Sequence, residues 1–143
     1  MKIQGVNFLL IRKDGKVLIQ KRDWKRGIAY PGRWAIPGGG KEENESPEQA
    51  VIREIKEETG VEISFKSLQK IMDFPYSYKG VQYINRFFLC RIGDIQVYSL
   101  EGRMHWVTIQ KAKNINLVYK ENEIIIPLVE EMLRSSLRKH KKI

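Results

Sequence analysis

Between positions 53 and 60 the chain reads REIKEETG, which gathers Glu54, Glu57 and Glu58 in a protein whose net charge is +9. Carboxylates three and four residues apart on a helix project together, and their repulsion is unfavourable unless a cation lies among them. The residues alone leave two readings, a solvated helix face or a site for a divalent ion. All-oxygen ligands of this kind suit Mg²⁺, with Mn²⁺ as an alternative, and no histidine or cysteine cluster competes for a softer metal. An ion held in this way binds through a few carboxylates, waters and the phosphates of a substrate, so the chemistry such a site suits is that of phosphate groups. Arg53 lies one turn before Glu57 and can reach across it.

A helix must position these side chains, and both of its ends are marked. Ser46 is a suitable N-cap, Pro47 suits the first helical position, and Gln49 completes a capping box with Ser46. Gly60 supplies a left-handed residue to stop the helix. At helical periodicity Val51, Ile52 and Ile55 share one face, while Glu54, Glu57 and Glu58 share its neighbour. Upstream, VNFLLI, a turn at Asp14-Gly15 and KVLIQKRD predict a hairpin. Trp34, Ala35 and Ile36 predict a short strand that Pro37 and Gly38 to Gly40 end.

Downstream, VEISF (61–65), KIMDF (70–74), VQYINRFFLCRI (81–92), IQVYSL (95–100) and HWVTI (105–109) read as strands. Pro75 reads as a turn between KIMDF and YSYKG. Ile124, Ile125, Leu128, Val129, Met132, Leu133 and Leu137 predict a C-terminal amphipathic helix whose apolar stripe packs on the core. Strands before, between and after two helices predict an α/β fold with a mixed sheet covered on both faces.

With 143 residues, the expectation is a single domain spanning 1–143. A hydrophobic fraction of 42% and a charged fraction of 30% exclude a disordered or membrane-embedded chain. No apolar run is long enough to span a membrane, and the opening MKIQGVNFLLI is too short for a signal peptide. Cys90, the lone cysteine, leaves no internal disulfide and reads as a buried structural thiol in FFLC. A reducing, cytoplasmic setting fits this usage. Arg134, Arg138, Lys139, Lys141 and Lys142 supply five of the nine net positive charges. That basic tail, from about 134, is either a frayed, solvated terminus or an attractor of anionic ligands.

Gly39, Glu45, Arg53-Glu54-Ile55, Glu57-Glu58 and Gly60-Val61 together resemble the Nudix box, G-x5-E-x7-R-E-U-x-E-E-x-G-U with U aliphatic, at every specified position. The box covers 23 of the 143 residues. The resemblance implies a Nudix-type α/β/α sandwich and metal-dependent hydrolysis of a diphosphate linkage in a nucleoside diphosphate derivative. It implies that Glu54, Glu57 and Glu58 ligate or orient Mg²⁺ or Mn²⁺, that the Gly39 carbonyl joins them, and that Arg53 holds a glutamate in position. Glu45 would tie the loop to the helix. The general base is either Glu54 or an acid from a later loop, for which Glu101 is the candidate, and Glu101 is equally a possible extra metal ligand or a solvated turn residue.

Substrate recognition has fewer signals. Tyr30, Trp34, Tyr76, Tyr78 and Tyr83 are candidates to stack on a base, and Arg22, Arg33 and Arg86 to contact phosphate. His105, beside Trp106, reads as structural. Pro75 resembles a marker of ADP-ribose hydrolases, whereas Tyr76 and Tyr78 resemble one of dinucleoside polyphosphate hydrolases, so the two conflict. YPGRWAIPGGG resembles the MutT-like enzymes of (deoxy)nucleoside triphosphates. The expectation is a nucleoside triphosphate pyrophosphohydrolase that releases a nucleoside monophosphate. ADP-ribose, dinucleoside polyphosphates and an RNA 5′ end stay open, as does a non-catalytic nucleotide-binding or RNA-binding module. The expected partner is a small nucleotide, with no membrane, and the chain is a monomer or homodimer.

Overall fold

The structure, a computed structural model, describes residues 2–24, 27, 30–93 and 103–141. The N-terminal hairpin is present: β1 (Gly5–Ile11) and β2 (Val17–Lys21) run antiparallel, with Ile11 opposite Val17. Asp14 fixes the turn by accepting from the Lys16 N–H at 3.1 Å. Toward its start β1 pairs instead with β4 (Gly38–Gly40), while β2 pairs with β3 (Trp34–Ala35) and β7 (Arg103–Val107). On its other side β1 runs parallel to β6 (Val81–Arg91), which pairs antiparallel with β5 (Leu68–Tyr78). Among the described residues this makes a seven-stranded mixed sheet of order β3-β2-β1-β6-β5, with β4 against β1 and β7 against β2.

β1 is buried along its whole length, so its alternating side chains feed two cores. Val6, Phe8 and Leu10 pack with Ala50, Val51 and Ile55 of α1 (Pro47–Thr59). Leu9 and Ile11 pack on the opposite face with Ala112 of α2 (Ile109–Asn114) and Ile125, Ile126 and Val129 of α3 (Glu121–Lys141). Each of the larger side chains among these, the alanines excepted, contributes roughly 1.5–3 kcal/mol by its burial. The α/β/α sandwich with a mixed sheet is therefore as the sequence predicts.

The marked ends of α1 are also observed. Ser46 Oγ accepts from the Gln49 N–H at 3.1 Å, and Gln49 Oε1 accepts from the Ser46 N–H at 2.8 Å. Gly60 stops the helix at φ 77°, with its N–H donating to the Lys56 carbonyl. Ile52 lies half-buried beside the fully buried Val51 and Ile55.

Several expectations need correction. Gly38 to Gly40 do not merely end a strand; they form β4. A Cβ at Gly38 would lie 2.2 Å from the Val6 carbonyl oxygen, so only glycine lets that strand approach β1 this closely. VEISF is not a strand: residues 61–64 are irregular and Phe65–Ser67 form a 3-10 turn that leaves Phe65 exposed. Pro75 lies inside β5 opposite Ile84, on the outermost strand, where a missing N–H is tolerated, and the turn falls at Lys79-Gly80. HWVTI divides, with β7 ending at Val107 and Thr108 capping α2, a third helix, by accepting from the Lys111 N–H at 3.1 Å. IQVYSL lies outside the described residues.

The apolar stripe of α3 is narrower than expected. Ile125, Ile126 and Val129 are buried and Met132 and Leu133 partly so, but Ile124, Leu128 and Leu137 are exposed. The basic segment continues α3 to Lys141 instead of fraying from 134, and Arg134 pairs with Glu130 and Glu131. Cys90 is buried, and burial pushes its thiol up to about 11, which leaves it an inert core residue. Among the described residues no helix is long and apolar enough to cross a membrane.

Candidate active site

Arg53 is the hub of the acidic helix. Its Nε donates to Glu45 Oε2 at 3.1 Å and its Nη2 to Glu45 Oε1, a bidentate pair that ties α1 to the preceding loop. Nη2 also donates to the Gly40 carbonyl at 3.0 Å, and Nη1 donates to Glu54 Oε1 at 3.0 Å and Glu57 Oε2 at 3.3 Å. One guanidinium thus joins the loop, β4 and two carboxylates. The hydrogen bond to Arg53 is the chief force holding the Glu45 carboxyl below its ordinary range, and the Glu45 contact in turn holds Arg53 firmly protonated.

Glu54 lies directly against β4. A Cβ at Gly39 would meet the Glu54 carboxyl carbon at 2.3 Å and its oxygens at 2.4 and 2.5 Å. The backbone at Gly39 is not left-handed, so glycine is required there for contact with Glu54 and not for backbone freedom. The three glutamates share a face but differ in depth: the Glu57 side chain is 56% exposed, whereas Glu58 is 2% exposed, with Oε2 buried and lacking a hydrogen-bond partner.

These residues fit a hard divalent cation. The donors are all oxygens, and the groove between Gly39 and Glu54, which a Cβ would fill, brings a backbone and a carboxylate together. As the side chains stand, no three acids among the described residues converge on one point, because Arg53 lies between Glu54 and Glu57.

β4 also lines a cavity of about 370 Å³. Gly38, Gly39 and Gly40 form one wall, and Tyr30, Tyr76, Tyr78, Tyr83 and Tyr119 supply aromatic rings around it. Tyr76 stacks on Tyr83 at 5.3 Å and meets Tyr119 at 4.8 Å. The Tyr30 hydroxyl donates to that of Tyr119 at 2.6 Å. Tyr30, Tyr119 and Lys120 all hold positive φ, at 49°, 53° and 58°, a strained state for residues with side chains.

Glu121, at the start of α3, is the buried acid of this cavity, 3% exposed. Its Oε1 accepts from the Ile36 N–H at 3.0 Å, and among the described residues it makes no ion pair. The helix N-terminus favours the anion by about 1 kcal/mol at most in ordinary cases, but burying an unpaired charge costs on the order of several kcal/mol. Burial wins and pushes the Glu121 carboxyl up to about 8.

Of the expected substrate contacts, Arg22, Tyr30, Tyr76, Tyr78 and Tyr83 line the cavity. Arg33 is exposed outside it, and Trp34 packs instead on His105 at 5.0 Å and on the core. Arg86 is bound to Asp73 through Nε at 2.7 Å and lies 3.9 Å from Glu48 of α1, away from the cavity lining. Glu101 lies outside the described residues. The sequence reading missed Asn7, Asn85, Tyr119 and Glu121. Glu121 had a signal, an acid three residues before the apolar run of α3, but it reads equally as a favourable first-turn charge; nothing local marked the other three.

The family model described as the NUDIX domain matches residues 1–129. The chain belongs to the Nudix family. An RNA pyrophosphohydrolase from Hydrogenovibrio crunogenus is 44% identical over 104 residues, which are 70% of this chain and 58% of that protein. Nucleoside triphosphatase NudI from Escherichia fergusonii is 44% identical over 68 residues, 48% of this chain and 45% of that protein. The aligned region thus spans only about half the length of these Nudix relatives. The crystal structure of a MutT protein from Methanosarcina mazei Go1 superposes with a TM-score of 0.77 at 22% identity, covering 90% of this chain and 94% of that one, and so shares the Nudix fold.

Proposed function

We propose that this Nudix protein hydrolyses a diphosphate linkage in a nucleoside diphosphate derivative, with a (deoxy)nucleoside triphosphate as substrate and a nucleoside monophosphate as product. One observation carries the reading. The glycine strand β4 touches the Glu54 carboxylate through Gly39 and also forms a wall of the tyrosine-lined cavity, so phosphate chemistry and nucleoside binding would share one strand. Relatives described as an RNA pyrophosphohydrolase and a nucleoside triphosphatase support the same bond type.

Glu54, Glu57 and Glu58, with the Gly39 carbonyl, are the groups that would hold Mg²⁺ or Mn²⁺. A divalent ion there supplies charge neutralisation at the phosphates and Lewis acidity toward water. Glu54 takes the proton of the attacking water as its oxygen bonds to phosphorus and the bridging P–O bond breaks. Arg53 positions Glu54 and Glu57 and keeps Glu45 on the loop. The tyrosines of the cavity hold the nucleoside and exclude water around it.

The test is product analysis across a panel of nucleoside triphosphates, ADP-ribose, dinucleoside polyphosphates and triphosphorylated RNA, with and without Mg²⁺. The expected result is metal-dependent release of a nucleoside monophosphate and pyrophosphate from a triphosphate. Turnover confined to RNA ends or to ADP-ribose would redirect the substrate assignment. Folded protein that binds nucleotide and cleaves nothing would support a binding module.

A further inference from the structure

β4 consists of three glycines, so no side chain of its own fixes where it lies. It meets the Glu54 carboxylate at Gly39, and it pairs with β1 from Gly5–Gly40 to Asn7–Gly38. The segment that leads into it is held from two further directions. The Ile36 N–H donates to Glu121 Oε1 at 3.0 Å, which ties the segment to α3. The Ile36 carbonyl accepts from Asn7 Nδ2 at 3.0 Å, which ties it to a side chain of β1. The Pro37 carbonyl then accepts from the Phe8 N–H at 2.9 Å. Asn7 also lies against Gly38, where a Cβ would meet its Nδ2 at 2.6 Å.

The side chain at position 7 has little freedom of type. A carbonyl demands a donor, so Nδ2 faces Ile36 and Oδ1 faces away. Oδ1 accepts from Asn85 Nδ2 at 2.7 Å, and Asn85 Oδ1 accepts from the Tyr76 hydroxyl at 3.1 Å. Aspartate would set an acceptor against the Ile36 carbonyl, and an apolar residue would remove the donor from that carbonyl altogether. Asn7 is buried, so these bonds form where water competes weakly.

We propose that Asn7 is a positioning residue for the metal-binding groups of α1 and β4: by holding the Ile36 carbonyl it sets the path of β4, and with it the distance at which the Gly39 backbone meets Glu54. The inference rests on the metal site proposed above. Asn7 acts through Ile36, a few residues before Gly39. Ligand groups must be held to within about 0.5 Å, and losing a hydrogen bond behind a ligand typically weakens ion binding by roughly 10–100-fold. A role in stability alone predicts a lower melting temperature with unchanged ion affinity. The positioning role predicts a loss of affinity that an equal destabilisation elsewhere does not produce.

The experiment is Mn²⁺ binding to the full chain without nucleotide, read from the paramagnetic resonance signal of the free ion, in wild type, Asn7→Leu and Val129→Ala. Val129 is fully buried on the sheet face away from α1, so its truncation lowers stability without touching the path of β4. At temperatures where all are folded, Asn7→Leu should bind Mn²⁺ about tenfold more weakly than wild type, while Val129→Ala keeps the wild-type affinity. Asn7→Ser, whose hydroxyl is too short to reach Ile36, should show the same loss and replaces Asn7→Leu if the leucine does not fold. Wild-type affinity in the position-7 variant, an equal loss in Val129→Ala, or no Mn²⁺ binding by wild type would each overturn the proposal. Because no nucleotide is present, the result is independent of hydrolysis. The expected loss of Mn²⁺ binding beside a silent activity panel would overturn the proposed reaction and leave the role of Asn7 standing.

Discussion

Replacing Gly39 with alanine is the sharpest perturbation of the site. The new Cβ would lie 2.3 Å from the Glu54 carboxyl carbon, whereas ordinary contact begins near 3.4 Å. The carboxylate must therefore retreat by about 1 Å, a misplacement of the scale that costs roughly 100-fold in rate when it falls on a reacting group. The end of a glutamate side chain can move without unfolding the helix, so the melting temperature should change by only a few degrees, as for a loss of about 1 kcal/mol or less. The assay is metal-dependent kcat together with thermal melting, and Gly93→Ala is the control, because a Cβ there meets nothing within 4 Å and the residue lies outside the cavity lining. Gly39→Ala should lose kcat while Gly93→Ala keeps it. Wild-type kcat in Gly39→Ala, or equal losses in both variants, would refute the assignment of Glu54 to the reaction.

Further predictions concern stability. Arg53→Ala should destabilise by about 1–3 kcal/mol in urea denaturation, since it leaves the largely covered Glu45 and Glu54 carboxylates without their shared donor. Glu45 has a lowered folded-state pKa, so its stabilisation is present above the ordinary carboxylate pKa and lost as pH falls through the lowered one. Arg53→Ala should accordingly flatten the acid limb of the stability profile, and an unchanged limb would contradict the pairing. Glu121 works in the opposite direction: its folded-state pKa is raised from 4.5 to about 8, so stability is lost as pH rises between those values. Melting temperatures of Glu121→Gln should fall less steeply than wild type across that interval, and parallel slopes would sink the burial argument. Ser46→Ala removes one half of the capping box and should cost about 1 kcal/mol, read by denaturation.

The best-read parts of the sequence were those whose physics is local. The cap at Ser46, the stop at Gly60 and the hairpin turn at Asp14-Gly15 are set by neighbouring residues, and each appears where its residues place it. The reach of Arg53 to Glu57 was legible for the same reason, since fixed helical spacing decides it, whereas the tie from Glu45 to the helix was implied by the resemblance to the Nudix box. What escaped was decided by distant partners. Whether three glycines stop a strand or form one depends on β1, which passes within reach 30 residues or so earlier in the chain. Pro75 reads as a turn until β5 is known to be the sheet edge. Ile124 and Leu128 fit a helical stripe as well as Ile126 does, and only packing against the sheet shows which of them are covered. Asn7, Asn85 and Glu121 come together from three separate elements, and their hydrogen-bonded chain has no sequence signature.

We propose that the carboxylates of α1, held by Arg53 and pressed against β4, carry out hydrolysis. The most direct test is Mg²⁺-dependent release of nucleoside monophosphate by wild type, Glu54→Gln and Glu57→Gln, with folding verified for each. Wild type should turn over only with the metal, and both variants should lose turnover while nucleotide still binds. Metal-dependent turnover that survives either substitution unaltered would contradict it.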